Sequence, residues 1–113
     1  MTDPAKIPND PVAFIQRCVH GGRISWTYHV NMRLSKRGIG RDHVIAAVDT
    51  YAVIESYPDD KYLPSYLVLG QSSLGSLHIL FATDVARDNV RVITAYRPDP
   101  AEWSADFRSR LKA

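Results

Sequence analysis

The chain has 113 residues, which makes one domain and excludes a two-domain enzyme. Hydrophobic residues make up 45% and charged residues 23%, ordinary proportions that exclude wholesale disorder. Cys18 is the only cysteine, so no internal disulfide forms, and at this length none is needed for a stable core.

No apolar run approaches the roughly 20 residues of a membrane helix. Residues 1–9 are polar and Pro-rich, read as a flexible tail, and lack the layout of a signal peptide. Residues 10–113 read as a single α+β domain. The expectation is a soluble, cytoplasmic protein without a membrane partner. Net charge is only +2, but its distribution is uneven. From Ile24 to Arg41 there are four basic residues, one histidine and no acid; from Tyr51 onward seven basic residues face eight acidic ones. One basic segment on a near-neutral body points to an anionic partner, RNA first, with a plain solvated helix face as the alternative.

In chain order, Asp10-Pro11 is a helix start, an N-cap acid followed by Pro at the first helical position. That helix runs through Phe14, Ile15, Cys18 and Val19 and stops at Gly21-Gly22. Ile24-Ser25-Trp26 is short, extended and apolar. Thr27 caps a second helix, Tyr28 to Arg37, and Gly38 supplies its left-handed stop. A third helix follows Gly40, with Val44, Ile45 and Val48 on one face.

After Thr50 the pattern turns extended. Four runs are rich in β-branched and aromatic residues: Ala52 to Tyr57, Tyr66 to Gly70, Leu77 to Thr83 and Val90 to Tyr96. The breaks between them are short and carry turn residues, which favours an antiparallel meander. Pro98 and Pro100 stop the last strand. Asp99 then caps a final amphipathic helix that places Trp103, Phe107 and Leu111 on one face. The expected fold is α+β: helices packed on a four-stranded antiparallel sheet, closed by a C-terminal helix.

No two of His20, His29, His43 and His78 stand at zinc-ligand spacing, and there is no CxxC or HExxH, so no metal is expected. No phosphate-binding or dinucleotide loop is present either, and no cofactor is expected. Cys18 reads as a buried small hydrophobe. The second helix carries the informative pattern. His29, Arg33 and Arg37 stand at i, i+4 and i+8, with Lys36 beside them, all within a sector of about 100°. Stacked like charges weaken an isolated helix, and a bound phosphate shared by paired guanidiniums would offset that. Acids from the sheet could offset it equally. His29 follows the Thr27 cap closely, where a charged ring is disfavoured, and a neutral histidine is what a general base requires. His78 in the third run and Thr94 and Tyr96 in the fourth lie on strands that can share a groove, or they are ordinary cross-strand packing residues.

The stretch Ile24-Ser25-Trp26-Thr27-Tyr28-His29, then Arg33, then Arg37-Gly38-Ile39, resembles the opening signature of an uncharacterised bacterial family, domain of unknown function 4258. Leu77-His78-Ile79 and Thr94-Ala95-Tyr96-Arg97-Pro98-Asp99, with Trp103 after them, resemble its closing motifs, so the likeness spans about residues 24–103. Gly40 departs from the pattern, where that family has a serine or similar cap. The resemblance implies kinship with RelE-like and BrnT-like toxins, many of them metal-independent ribonucleases neutralised by an antitoxin protein, on a small helix-plus-sheet fold that also hosts non-nucleases. It carries over to His29, Arg33, Arg37, His78, Thr94 and Tyr96.

The first expectation is therefore a toxin-type endoribonuclease acting by general acid/base chemistry. His29 is cast as base and His78 or Tyr96 as acid. Arg33, Lys36, Arg37 and Arg41 hold the phosphates and Thr94 positions substrate. The second is a non-catalytic module that binds protein or nucleic acid through the basic helix. A cognate antitoxin is the implied partner of the first.

Overall fold

A computed structural model describes residues 6–111. Helix α1 spans Pro11–His20, with the Asp10 carboxylate accepting from the Ala13 N–H at 3.2 Å. Strand β1, Ile24–Trp26, leads into α2, Tyr28–Lys36. Thr27 Oγ1 accepts the Val30 N–H at 3.1 Å, so the threonine is the cap of α2. Gly38 adopts φ +68°, which lets the chain reverse and the Ile39 N–H return to the Leu34 carbonyl at 2.9 Å. Helix α3, Arg41–Ala46, begins at Gly40, whose N–H donates to His43 Nδ1 at 2.9 Å in place of an ordinary side-chain cap. A 3₁₀ turn at Val48–Thr50 follows. Of the stripe expected on this helix, Val44 and Val48 are buried, but Ile45 is 39% exposed.

The remaining strands are β2, Ala52–Tyr57; β3, Ser65–Ser72; β4, Gly75–Asp84; and β5, Asn89–Tyr96. All four extended runs are strands, and they pair antiparallel in sequence order. The sheet nevertheless has five strands, in the order β1-β5-β4-β3-β2, and β1 runs parallel to β5. The expected four-stranded, wholly antiparallel sheet is corrected to a five-stranded mixed one. Three residues are too few to show an alternation, and their partner lies far along the chain.

The three helices cover one face of the sheet. Phe14, Ile15 and Cys18 from α1, Val30 and Leu34 from α2, and Val44 from α3 meet Val68, Leu77, Ile79, Phe81 and Val92 in one core. Gly70 lets the backbone pass close to α3 and its 3₁₀ extension: a Cβ there would lie 3.1 Å from that of Ala47 and 3.3 Å from the Tyr51 ring. Residues opposite one another in an antiparallel pair share a face. The register therefore puts Glu55 and Tyr57 of β2, Leu67 and Leu69 of β3, His78 and Leu80 of β4, and Thr94 and Tyr96 of β5 on the other, helix-free face.

No C-terminal helix forms among the described residues; this expectation is also corrected. Residues 99–111 make turns and one isolated bridge, Trp103 to Arg110, that lie across the helix-free face. Local side chains compete with the helix. The Asp99 carboxylate takes the Ala101 N–H at 2.8 Å, the Asp106 carboxylate takes the Arg108 N–H at 3.1 Å, and Ser104 Oγ takes the Ser109 N–H at 3.1 Å.

Candidate functional site

Helix α2 presents its basic residues outward. Arg33 and Lys36 on α2, Arg37 at its C-cap and Arg41 at the start of α3 are all exposed, and none is within ion-pair distance of a carboxylate among the described residues. Elsewhere four arginines are ion-paired, Arg17 and Arg23 with Asp88, Arg87 with Asp84, and Arg110 with Glu55, while Arg91, Arg97 and Arg108 have no such pairing among the described residues. Two of the four expected phosphate ligands have structural work. Arg37 Nη1 donates to Thr94 Oγ1 at 3.2 Å and to the Ala95 carbonyl at 2.7 Å, on the stretch of β5 beyond the end of β1. Arg41 donates to Asn31 Oδ1 at 2.8 Å and lies over the Trp26 ring at 5.2 Å. Arg33 and Lys36 make no such contact. On the same helix Tyr28 is 73% and Met32 42% exposed.

The second group of expected site residues lies on the helix-free face. His78 and Tyr96 face each other across β4 and β5, with His78 Nδ1 and Tyr96 Oη 3.2 Å apart. His78 is completely buried. Its Nε2 lies 2.8 Å from the Phe107 carbonyl, which can only accept, so Nε2 carries the hydrogen. In the neutral ring Nδ1 is then the acceptor and the Tyr96 hydroxyl donates to it. Burial pushes the His78 pKa down, the Phe107 hydrogen bond opposing it, and burial pushes that of Tyr96 up.

Five residues that the sequence did not mark as a site complete this cluster. Trp103 and His78 meet edge-to-face, ring centroids 4.4 Å apart, and Arg110 lies over the Trp103 ring at 4.6 Å. Arg110 donates two hydrogen bonds to Glu55, at 2.8 and 3.1 Å. These bonds hold the Glu55 carboxyl below its ordinary range, and the Tyr57 hydroxyl also donates to it. Phe107 contributes its carbonyl. Glu55 and Arg110 are 55 positions apart in sequence, and no local pattern connects them.

The expected residues therefore fall into two groups. His78 and Tyr96 meet on one side of the sheet. His29, Arg33 and Lys36 stand on α2, which packs against the other side, and Arg37 with Thr94 links the two at the β5 edge. His29 is exposed, and its ring neighbour is Tyr28 at 6.0 Å. It is not brought to His78.

A family model described as Domain of unknown function (DUF4258) matches residues 26–97. The chain belongs to that family. Neither the curated proteins nor the solved structures gave a match. The DUF4258 segment takes in α2, α3 and β2 to β5, hence His29, Arg33, Arg37, His78, Thr94 and Tyr96. It leaves out α1 and the segment from Pro98 onward, so Trp103, Phe107 and Arg110 lie outside the matched residues. Among the described residues no three His, Cys, Asp or Glu side chains gather to hold a metal ion, and no helix is long and apolar enough to cross a membrane.

Proposed function

We propose that this DUF4258 protein binds single-stranded RNA through the outer face of α2. One observation carries the reading: Arg33 and Lys36 on the outer face of α2 lack carboxylate partners among the described residues, whereas Arg17, Arg23, Arg87 and Arg110 are ion-paired. Exposed Tyr28, next to His29 at the start of the same helix, adds a ring on which a base can stack. Arg37, tied to Thr94 and Ala95, fixes the end of this face against the β5 edge. The test is fluorescence anisotropy with a labelled single-stranded RNA over a salt series. Binding should weaken as salt rises, and Arg33→Ala should flatten the log–log slope by about 0.7. Salt-independent binding, or none at low salt, refutes it.

A second reading adds metal-independent cleavage of toxin type on a RelE-like fold, countered by an antitoxin that covers α2. The contact between His78 and Tyr96 favours it, because two protic groups within one hydrogen bond can share the proton transfers of phosphodiester scission. The distribution of the other residues argues for binding without cleavage in the conformation described. His29 stands apart from the pair, and both His78 ring nitrogens are occupied. RNA cleavage in EDTA by the wild type, compared with His29→Ala and His78→Ala, separates the two. A rate lost by about 10²-fold in His78→Ala supports cleavage at that pair. RNA bound but left uncut supports the binding module.

A further inference from the structure

Residues 99–111 form a strap across the helix-free face, and its contacts outline what they cover. Trp103 is 3% exposed and stands on His78. The Phe107 carbonyl takes the His78 N–H, and Arg110 sends two parallel N–H groups to Glu55. On the strand between those two residues, Leu67 and Leu69 are 4% and 3% exposed. Without the strap, this is a slot with an aliphatic floor, a carboxylate on one side, and an imidazole and a phenol on the other. Mostly apolar recesses with a few convergent polar groups are the usual form of ligand sites.

The strap is built to be displaced more readily than the sheet. It holds on through side chains, not a strand ladder, and the Arg110 side chain is 61% exposed. Phe107 sits at φ +60°, a strained conformation for a residue with a Cβ. The strap also lies outside the DUF4258 match, so the face beneath it is the part that belongs to the family domain.

The chemistry of the resident occupant identifies the class of ligand. Arg110 offers a planar group, lying over an aromatic ring, with two adjacent N–H donors aimed at one carboxylate. Guanine offers the same: N1–H and the exocyclic amine are adjacent parallel donors on a planar, stackable ring. Adenine and cytosine pair a donor with an acceptor on that edge, and uracil sets one donor between two acceptors. Of the four bases only guanine replaces the guanidinium on a carboxylate without leaving a lone pair against it. We propose that the slot between Glu55 and His78 is a guanine-binding site for single-stranded RNA, held closed by Arg110 and Trp103. The proposal rests on the RNA-binding reading above. Arg37, bonded to Thr94 and Ala95, places the cations of α2 beside the β5 edge that ends at Tyr96, so a strand with its phosphates on α2 reaches the slot over that edge.

The test uses the full chain with Arg110→Ala, titrated with guanosine 5′-monophosphate and with adenosine 5′-monophosphate by calorimetry. Arg110→Ala should bind the guanine nucleotide at least about 10-fold tighter than the wild type does, and about 10-fold tighter than the adenine nucleotide. Adding Glu55→Gln, whose amide presents a donor to a donor, should abolish that preference. Arg110→Lys keeps the charge without the parallel donors and should gain in the same direction, which covers the case of Arg110→Ala failing to fold. Guanine affinity no better than wild type, equal affinity for the two nucleotides, or a preference that survives Glu55→Gln overturns the slot. The salt slope of RNA binding reports α2 alone. Salt-sensitive RNA binding without guanine preference sinks the slot and spares α2, and guanine preference without RNA binding does the reverse.

Discussion

Lowering the pH from 7.5 to 5.5 should destabilise the wild type relative to His78→Gln, because His78 is buried as the neutral ring. Its pKa lies below the ordinary 6.5, chiefly through burial, while the Phe107 hydrogen bond and Glu55 pull it up and Arg110 pushes it down. With the folded value below the unfolded one, the unfolded chain binds the extra proton first, so stability is full above pH 6.5 and falls as pH drops below it. If the folded ring stays neutral throughout, the loss at pH 5.5 reaches an upper limit of about 1.4 kcal/mol, against less than about 0.1 kcal/mol at pH 7.5. For a chain of this length that is about 6 °C in Tm. Glutamine keeps a side-chain N–H for the Phe107 carbonyl and does not titrate. Glu55, held below its ordinary pKa of 4.5 mainly by Arg110, loses its contribution only below that range, outside the window. Urea denaturation of both proteins at the two pH values gives the comparison. Parallel pH profiles would refute the buried, neutral state of His78, as would a wild type that is relatively more stable at pH 5.5.

Other variants check the frame that holds the two faces. Tyr51→Phe removes the buried hydroxyl that donates to the Val44 carbonyl at 2.6 Å, and should lower the unfolding free energy by about 1–2 kcal/mol in denaturant titration. Gly70→Ala presses a methyl against Ala47 and Tyr51 and should cost about 1–3 kcal/mol; a stabilised variant would show that the sheet and α3 are free to move apart. Thr27→Ala removes the cap of α2 at a cost of about 1 kcal/mol, and amide exchange should rise first at the start of that helix, at Val30 and Asn31.

Local chemistry made much of this molecule legible from its residues alone. Asp10-Pro11 and Thr27 start helices because their side chains accept the first free N–H groups, and Gly38 ends one because a positive φ is cheapest there. The four β-rich runs and their antiparallel order follow from alternation and short turn-bearing breaks. The outward basic face of α2 follows from its spacing, and His78 opposite Tyr96 from two strands that had to be neighbours. Tertiary structure decided the rest, chiefly through contacts between residues far apart in the chain. β1 is three residues that find their ladder on β5, and no pattern of three foretells a parallel partner. The C-terminal segment had the spacing of an amphipathic helix, Trp103 to Phe107 to Leu111. Asp99, Asp106 and Ser104 offered its N–H groups nearer acceptors, and Trp103 found a better surface on His78 than a helix stripe would give it. Glu55 met Arg110 only because the sheet and the returning strap brought them together. The sheet also separates His29 from His78, because it lies between the helix layer and the strap, a distance that no spacing along the chain can measure.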